Sequence, residues 1–266
     1  MKFAVVDGER REAQPGQPAT CPVCESAMIA KCGEHRVHHW AHRGVRMCDT
    51  WWEPETEWHR SWKNRFPKDW QEVICFAAEG EKHIADVATA SGITLEFQHS
   101  HLRREEREAR ESFYPQLNWI VDGLRRIRDR GAFFALVGQG KIVRSNPLTI
   151  LLPSAGGALL RDWGPSRVPV YFDLGEASDP SDPLPLGQPV LWHLQPKGPD
   201  GGAYITPVTK ASFVDHFLKA GPLRTFDVSG MLKRVSRPPP PPMPPRQGGF
   251  GAYYAQQRFA RSRRRF

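Results

Sequence analysis

Three short apolar segments separated by turns, between residues 72 and 98, constrain the fold more than any other feature of the chain. The segments are residues 72–77, 84–90 and 93–98. Runs of this length and composition predict β-strands joined by tight connections. In the last segment Glu96 and Gln98 are two residues apart, so both side chains leave the same face of the strand. Asp86 lies inside the strand before it.

A helix with one polar face is predicted just before these strands. Pro54 suits the first turn of a helix, because its missing N–H needs no partner there. Glu55, His59 and Lys63 follow at intervals of four residues and therefore share one helix face. Glu57 is the alternative helix carboxylate if the helix begins later.

Side chains of these types suit the hydrolysis of a phosphodiester bond. Asp86 and Glu96 offer hard oxygen ligands to Mg²⁺ or Mn²⁺, which lower the pKa of bound water and neutralise phosphate charge. Gln98 can orient a water molecule but carries no positive charge, and Lys63 is an alternative source of that charge. An isolated carboxylate on a β-strand is usually only solvated or paired with a neighbouring side chain. The prediction therefore depends on the combination of Asp86 and Glu96 with the helix.

Four of the five cysteines precede residue 50, which favours a metal site over a disulfide framework. Cys21 and Cys24 are two residues apart, and His39 and His42 follow, three residues apart. Two thiolates at this spacing, completed by two imidazoles from a following turn or helix, predict a tetrahedral, structural zinc site. Four nearby residues are possible substitutes for the fourth ligand: Cys32, His35, His38 and Cys48.

These motifs together resemble the competence protein CoiA family of nucleases. The resemblance covers roughly residues 1–123 and includes Cys-Pro-x-Cys, His-Trp-Ala-His, Glu-Thr-x-x-His-x-x-x-Lys, Ala-Asp-Val and Glu-Phe-Gln. It implies a zinc-binding N-terminal module on a PD-(D/E)xK nuclease domain that acts on DNA during uptake or recombination, and the same core would serve equally in defence. Gln98 stands where most PD-(D/E)xK proteins have Lys. The residues implied are Cys21, Cys24, His39 and His42 for zinc, Glu55, His59 and Lys63 on the helix, and Asp86, Glu96 and Gln98 at the catalytic centre.

The predicted fold class is α/β, with a restriction-endonuclease-like mixed sheet core and flanking helices, preceded by a small zinc-ribbon-like module. The predicted divisions are a zinc-binding module (1–50), a nuclease core (51–140), an α+β extension (141–230) and a Pro-rich linker with a basic aromatic tail (231–266), expected to be disordered. The extension either continues the sheet or forms an appended subdomain. Further strands are predicted at residues 117–121 and 132–137, and Asp173 and His193 are interpreted as structural.

Positive charge is concentrated at the end of the chain. Residues 231–266 contain nine Lys or Arg and no acidic residue, so with a net charge of +8 overall the rest of the chain carries 8 − 9 = −1. Arginines contact phosphates and aromatic rings stack on unpaired bases, which predicts DNA as the partner. The tail residues are Arg258, Arg261, Arg263, Arg264 and Arg265. The alternatives are anionic lipid or a protein partner, which the Pro-rich segment would suit.

Arg103 and Arg107 lie in a predicted helix over residues 101–112, just beyond the carboxylates. The preferred interpretation is a solvated helix with opposite-charge pairs. The alternative is that these arginines, with Arg104, contact phosphate, because the helix begins just beyond Glu96 and Gln98. No segment has the length and apolar character of a membrane span or signal peptide, so a cytoplasmic protein is expected. The sequence leaves two functions: a divalent-metal-dependent DNA nuclease or, because of Gln98, a DNA-binding accessory protein that hydrolyses slowly or not at all.

Overall fold

Two β-sheets, one of five strands and one of nine, form the framework of the computed structural model. The structure describes residues 1–44, 48–51, 53–78, 80–153, 156–177, 189–196, 201–221 and 223–224, all of which belong to one compact unit. The protein is therefore a mixed α/β protein. Across these residues, no helix has both the length and the apolar character needed to cross a membrane.

The first sheet is antiparallel and is built from the N-terminal residues. Its strands are β1 (Phe3–Val6), β2 (Glu9–Glu12), β3 (Ala19–Thr20), β4 (Ala27–Lys31) and β5 (His39–His42), in the order β2-β1-β3-β4-β5. Ala4, Met28 and Trp40 are buried in its small core, and the Trp40 indole N–H donates to the Arg11 carbonyl at 2.9 Å. A core of this size supplies little hydrophobic stabilisation by itself.

The second sheet is mixed and extends to residue 209. Its strands are β6 (Gln71–Phe76), β7 (Lys82–Ala88), β8 (Thr94–Gln98), β9 (Leu117–Asp122), β10 (Lys141–Ser145), β11 (Leu148–Leu152), β12 (Val170–Asp173), β13 (Val190–Leu194) and β14 (Ala203–Thr209). The order is β10-β11-β14-β13-β12-β9-β8-β7-β6. Strand β9 pairs in parallel with β8 and β12, and the other neighbours are antiparallel. The strands after residue 141 thus continue the same sheet.

Helices cover both faces of the nine-stranded sheet. They are α1 (Glu57–Lys63), α2 (Arg104–Phe113), α3 (Asp129–Gln139), α4 (Ala158–Trp163) and α5 (Lys210–Lys219), with a short 3-10 turn at Lys68–Trp70. The alternation of side chains along β9 shows the two cores. Trp119 is buried with Phe133 of α3 on one face, while Ile120 is buried with Trp62 of α1 and Phe213 of α5 on the other.

One predicted strand is wrong, whereas the strand predicted at residues 117–121 is confirmed as β9. Residues 132–137 belong to helix α3 and not to a strand. A short apolar run fits a buried helix as well as a strand. In α3, Phe133, Phe134 and Val137 are buried while Ala135 is exposed, which is the spacing of a helix face.

His193 on β13 is a partly buried histidine whose ring stacks on Tyr171, with 4.5 Å between the centroids. Its Nε2 atom is buried and has no hydrogen-bond partner within the described part of the chain. Burial lowers the pKa of His193 to about 4 from its ordinary value of 6.5. The folded protein therefore resists a protonation that the unfolded chain accepts.

We expect His193 to make the protein less stable in acid. A depressed histidine pKa contributes stability that is complete above pH 6.5 and is lost as the pH falls towards 4. Between pH 7 and pH 5 this loss is about 1 to 2 kcal/mol, since the ring keeps some contact with solvent. Urea unfolding of His193→Gln should show a smaller pH dependence by this amount. The same substitution at the exposed His35 should leave the wild-type pH dependence, and an unchanged profile in His193→Gln would contradict the expectation.

Candidate functional site

Three cysteines and one histidine meet beside the five-stranded sheet. The ligand atoms of Cys21, Cys24, His42 and Cys48 all lie within 4.8 Å of one another. The Sγ atoms of Cys21 and Cys48 are 3.8 Å apart, and His42 Nε2 is 3.4 Å from Cys24 Sγ and 3.5 Å from Cys48 Sγ. Tetrahedral zinc would separate two sulfurs by about 3.8 Å and a sulfur from a nitrogen by about 3.6 Å. The four residues therefore fit a structural zinc ion, and we call them the zinc cluster.

Cys48, and not the predicted His39, completes this set. His39 and His42 lie on strand β5, where residues three apart face opposite sides. The Nδ1 atom of His39 is accordingly 2.9 Å from the Val37 carbonyl oxygen, away from the cysteines. Burial and the neighbouring sulfur of Cys21 raise the pKa of the Cys48 thiol to about 12. A bound cation would relieve the repulsion among the thiolates.

The predicted catalytic carboxylates lie where strands β7 and β8 separate. The backbone pair nearest this point is Val87 with Leu95. Beyond it, the Asp86 N–H donates to Glu96 Oε1 at 3.2 Å, and the Phe97 N–H donates to Asp86 Oδ2 at 3.0 Å. Side-chain oxygens thus take hydrogen bonds that the sheet no longer makes. We call this opening, with Asp86 and Glu96 on its two strands, the strand fork.

A cavity of about 60 Å³ opens at the strand fork, enough for a few water molecules or small ions. Five of the six predicted catalytic residues line it: Glu55, His59, Lys63, Asp86 and Glu96. The Asp86 side chain is 23% exposed and that of Glu96 is 6% exposed. Of these two carboxylates, Asp86 is therefore the more accessible to a ligand from solvent.

Lys63 is the central cation of this cavity. Its Nζ donates to Glu55 Oε2 at 2.9 Å and to Glu72 Oε1 at 3.0 Å, and it lies 3.9 Å from Asp86 Oδ1. Burial alone would lower the pKa of Lys63, but the carboxylates of Glu72, Glu55 and Asp86 raise it above its usual value. The buried ammonium group therefore keeps its charge.

The start of helix α1 decides which glutamate faces the cavity. The helix begins at Glu57, and the Thr56 hydroxyl caps it by accepting the His59 N–H at 3.2 Å. Glu55 therefore precedes the helix, yet its carboxylate still reaches Lys63. Glu57 is exposed to solvent. Glu55 therefore lines the cavity, whereas the Glu57 side chain points to solvent.

Glu53 is a cavity residue that sequence reasoning missed. Its Oε1 is 2.7 Å from His59 Nε2, and its carboxylate accepts the backbone N–H groups of His99 and Ser100 at 3.1 and 2.8 Å. Burial disfavours a charge on His59, but Glu53 and Asp86, whose Oδ2 is 3.8 Å from Nε2, raise the pKa of His59. Glu53 lies outside the helix, so helical spacing gives no signal for it. Its one sequence signal is the acidic run Glu-Pro-Glu.

Gln98 reaches the centre only through Glu53. Its Nε2 donates to Glu53 Oε2 at 3.2 Å and to the Ser100 carbonyl at 3.1 Å. Gln98 does not line the cavity at the strand fork, among the residues whose positions are described. The amide therefore orients a carboxylate, where the sequence predicted that it orients a water molecule.

Glu96 and Glu72 are both held by partners that the sequence did not predict. Arg110 of α2 donates to Glu96 Oε2 at 3.0 Å, while burial and the charge of Asp86 raise the pKa of Glu96 to about 8. Glu72 accepts the backbone N–H groups of Lys2 and Phe3 at 2.6 and 2.9 Å. Its φ of 49° lies in the left-handed region that such residues rarely adopt. Glu72 thus links the start of strand β1, through these hydrogen bonds, to Lys63 in the cavity.

The arginines predicted to contact nucleic acid have different surroundings. Arg103 is exposed just before α2. Arg107 is buried, and its guanidinium donates to Glu111 at 3.1 Å, which leaves it no surface for a phosphate. This corrects its predicted role. The tail residues lie outside the described residues: Arg258, Arg261, Arg263, Arg264 and Arg265.

The zinc cluster lies in a segment that is similar to a known family. Residues 9–50 match the N-terminal domain of competence protein CoiA. The match confirms the predicted resemblance over these residues, and the CoiA-like segment includes strands β2 to β5 and all four members of the zinc cluster. It ends before the residues of the strand fork. Comparisons with curated proteins and with solved structures find no match.

Proposed function

We propose that this protein is a divalent-metal-dependent DNA nuclease with a CoiA-like N-terminal segment, acting in DNA uptake, recombination or defence. The observation that carries the proposal is the strand fork, where Asp86 and Glu96 line one cavity with Lys63 and His59. Carboxylates from neighbouring strands beside a buried cation, with Asp86 partly exposed to solvent, suit metal-dependent phosphodiester hydrolysis.

The arrangement of the sheet supports a restriction-endonuclease-like core. Helix α1 precedes the antiparallel strands β6, β7 and β8, and α2 then leads to β9, which is parallel to β8. Helices flank this mixed sheet on both faces. The PD-(D/E)xK interpretation follows from this topology together with carboxylates on β7 and β8.

Asp86 and Glu96 would hold Mg²⁺ or Mn²⁺. The fit is supported by the raised pKa of Glu96, because two adjacent buried carboxylates repel each other unless a proton or a cation lies between them. When bound, such an ion lowers the pKa of coordinated water and offsets phosphate charge.

The protein's own residues prepare this site. Arg110 and the Asp86 N–H fix the Glu96 carboxylate, while the Phe97 N–H and Lys63 fix that of Asp86. Groups held in this way need no reorganisation when substrate arrives. Lys63 lies beside Asp86 and supplies the positive charge that Gln98 lacks.

The zinc cluster would serve the structure and not the reaction. Four protein ligands close the coordination shell, so no position is left for substrate. All five cysteines lie in the described residues, and none of them forms a disulfide there. Free thiols suit a reducing compartment, and we therefore propose a cytoplasmic location. We also propose, from the sequence, that the Pro-rich segment of the tail binds a protein partner.

The deciding experiment is cleavage of labelled single- and double-stranded DNA by the purified protein with Mg²⁺, Mn²⁺ or EDTA. We expect metal-dependent cutting that falls at least about 100-fold in Glu96→Gln and in Asp86→Asn, because each loses a charged metal ligand. Glu57→Gln is the matched control, since it removes an exposed carboxylate near the same centre. Equal cutting by wild type and Glu96→Gln would contradict the assignment of the centre.

A DNA-binding accessory protein that hydrolyses slowly or not at all is the second candidate. Gln98 in place of Lys favours it, and so do Lys63 and Arg110, which already offset the charges of Asp86 and Glu96. Binding without cutting in any metal would support this candidate. Gln98→Lys would then be the first variant to test for recovered cutting.

A further inference from the structure

The loop that joins β9 to α3, residues 123–128, presents apolar and basic side chains to solvent. Ile127 is 96% exposed and Leu124 is 49% exposed. The loop reads Gly-Leu-Arg-Arg-Ile-Arg, so arginines flank Ile127 on both sides and one follows Leu124. Packing within the described part of the protein gives no reason for a large apolar side chain at the tip of such a loop, and exposed apolar groups of this kind often mark contact surfaces.

The loop is held firmly at both ends. At its start, Asp122 Oδ1 accepts the Leu124 N–H at 2.8 Å, and Asp122 Oδ2 is 2.7 Å from His99 Nδ1. Near its end, Arg126 donates to Asp129 of α3 at 2.6 Å and to a carboxylate of α4 at 3.0 Å. These contacts fix the backbone, so the outward direction of the remaining side chains is set in advance.

Arg125 and Arg128 differ from Arg126, because within the ranges that the structure describes neither side chain has a salt bridge or a hydrogen bond. Arg128 is exposed, and Arg125 is partly exposed. Two unpaired guanidinium groups beside two exposed apolar side chains give the loop a cationic surface with an apolar tip.

This surface adjoins the strand fork. Strands β8 and β9 are parallel neighbours, with Gln98 paired to Val121, so the loop leaves the sheet beside the end of β8. Arg125 also lines a small cleft together with Gln98 and Ser100. A polymer bound at the fork would therefore pass the loop.

We propose that residues 124–128 form a nucleic-acid contact, in which Arg125 and Arg128 bind phosphates and Ile127 packs between or against bases. We call it the arginine–isoleucine loop. Phosphates attract arginine in any sequence, and apolar side chains flanked by basic residues commonly insert between bases. The inference deepens the proposed function, on which it rests, by naming a surface that holds the DNA substrate.

The test measures binding of the full-length, zinc-loaded protein to a labelled 30-base-pair duplex and to one of its strands, without added Mg²⁺ or Mn²⁺, over a series of salt concentrations. The variants are Arg125→Gln/Arg128→Gln and Ile127→Ser. Two controls lie at exposed positions of edge strand β10, at the end of the sheet. Lys141→Gln/Arg144→Gln also removes two positive charges, and Ile142→Ser makes the same apolar-to-polar change. Thermal unfolding verifies that every variant is folded.

For the duplex, we expect the arginine double variant to make the plot of log K against log salt shallower by roughly 2, since each phosphate contact contributes about 0.9 to the magnitude of the slope. Ile127→Ser should weaken binding by roughly 5- to 10-fold with the slope unchanged, because an apolar contact with the bases releases no counterions. An unchanged slope in the double variant, or equal affinity in Ile127→Ser, would overturn the proposal. Binding is measured without Mg²⁺ or Mn²⁺ and so does not depend on cleavage. If the same protein shows these loop effects but fails to cut when Mg²⁺ or Mn²⁺ is added, the nuclease is contradicted and the loop is supported.

Discussion

Replacing Cys48 by serine should release the zinc ion and unfold the five-stranded sheet. The four ligand atoms of the zinc cluster fit one tetrahedral ion, and the apolar core beside it is small. Structural zinc contributes roughly 10 kcal/mol or more to small domains of this kind. We expect the zinc affinity to fall at least about 100-fold, since even partners outside the coordination shell affect it 10- to 100-fold. Zinc content after dialysis and near-ultraviolet circular dichroism measure the two effects.

The chain offers two controls for this experiment. Cys32→Ser makes the same substitution at a cysteine outside the zinc cluster and should keep one zinc ion per chain. His39→Ala should also keep it, because His39 faces the Val37 carbonyl. If His39→Ala lost the metal while Cys48→Ser retained it, the set predicted from the sequence would be correct and the one assigned from the structure would not.

Replacing Lys63 by methionine should lower the free energy of unfolding by about 3 to 5 kcal/mol. The substitution keeps the length of the side chain but leaves Glu55 and Glu72 buried without their common cation. Removing one partner of a buried ion pair costs about this much. Glu72 then lacks a paired cation within the described residues, although Glu55 keeps Arg60 at 2.9 Å. Urea unfolding at pH 7 measures the difference.

Lys68→Met is the matched control for this substitution. The Lys68 side chain is 78% exposed, and its one salt bridge in the described structure, with Glu12, spans 3.5 Å. Such a surface pair contributes at most about 1 kcal/mol. Adding Glu72→Gln to Lys63→Met should recover part of the lost stability, since it removes a charge that has become unpaired. A loss below about 1 kcal/mol in Lys63→Met would mean that Lys63 is not the shared cation.

Local patterns predicted the parts of the site that local structure determines. Alternation along β8 correctly assigned Glu96 to one strand face, and the period of α1 brought His59 and Lys63 to one side. The error at His39 came from assigning a turn or helix where the chain forms a strand, which reverses the effect of a three-residue spacing. At residues 132–137 the opposite error occurred, because a strand was predicted where the chain forms helix α3.

The remaining members of the site depend on tertiary contacts, which spacing does not reveal. Glu53 reaches His59 from a loop, Glu72 meets the cavity from strand β6, and Arg110 comes from α2. Whether a charged side chain is buried also depends on tertiary contacts. Arg107 sits in a charged segment that suggests solvent exposure, yet packing against Glu111 and the sheet removes it from the surface.

The anchoring of strand β1 by Glu72 has a consequence for the order of folding during synthesis. All zinc ligands are made by residue 48, whereas Glu72 and the two carboxylates of the strand fork follow between residues 72 and 96. At about 5 to 20 residues per second, the ribosome delivers Glu96 roughly 2 to 10 seconds after Cys48. The zinc cluster is therefore complete in the growing chain, and has time to bind its metal, before the carboxylates of the strand fork are made.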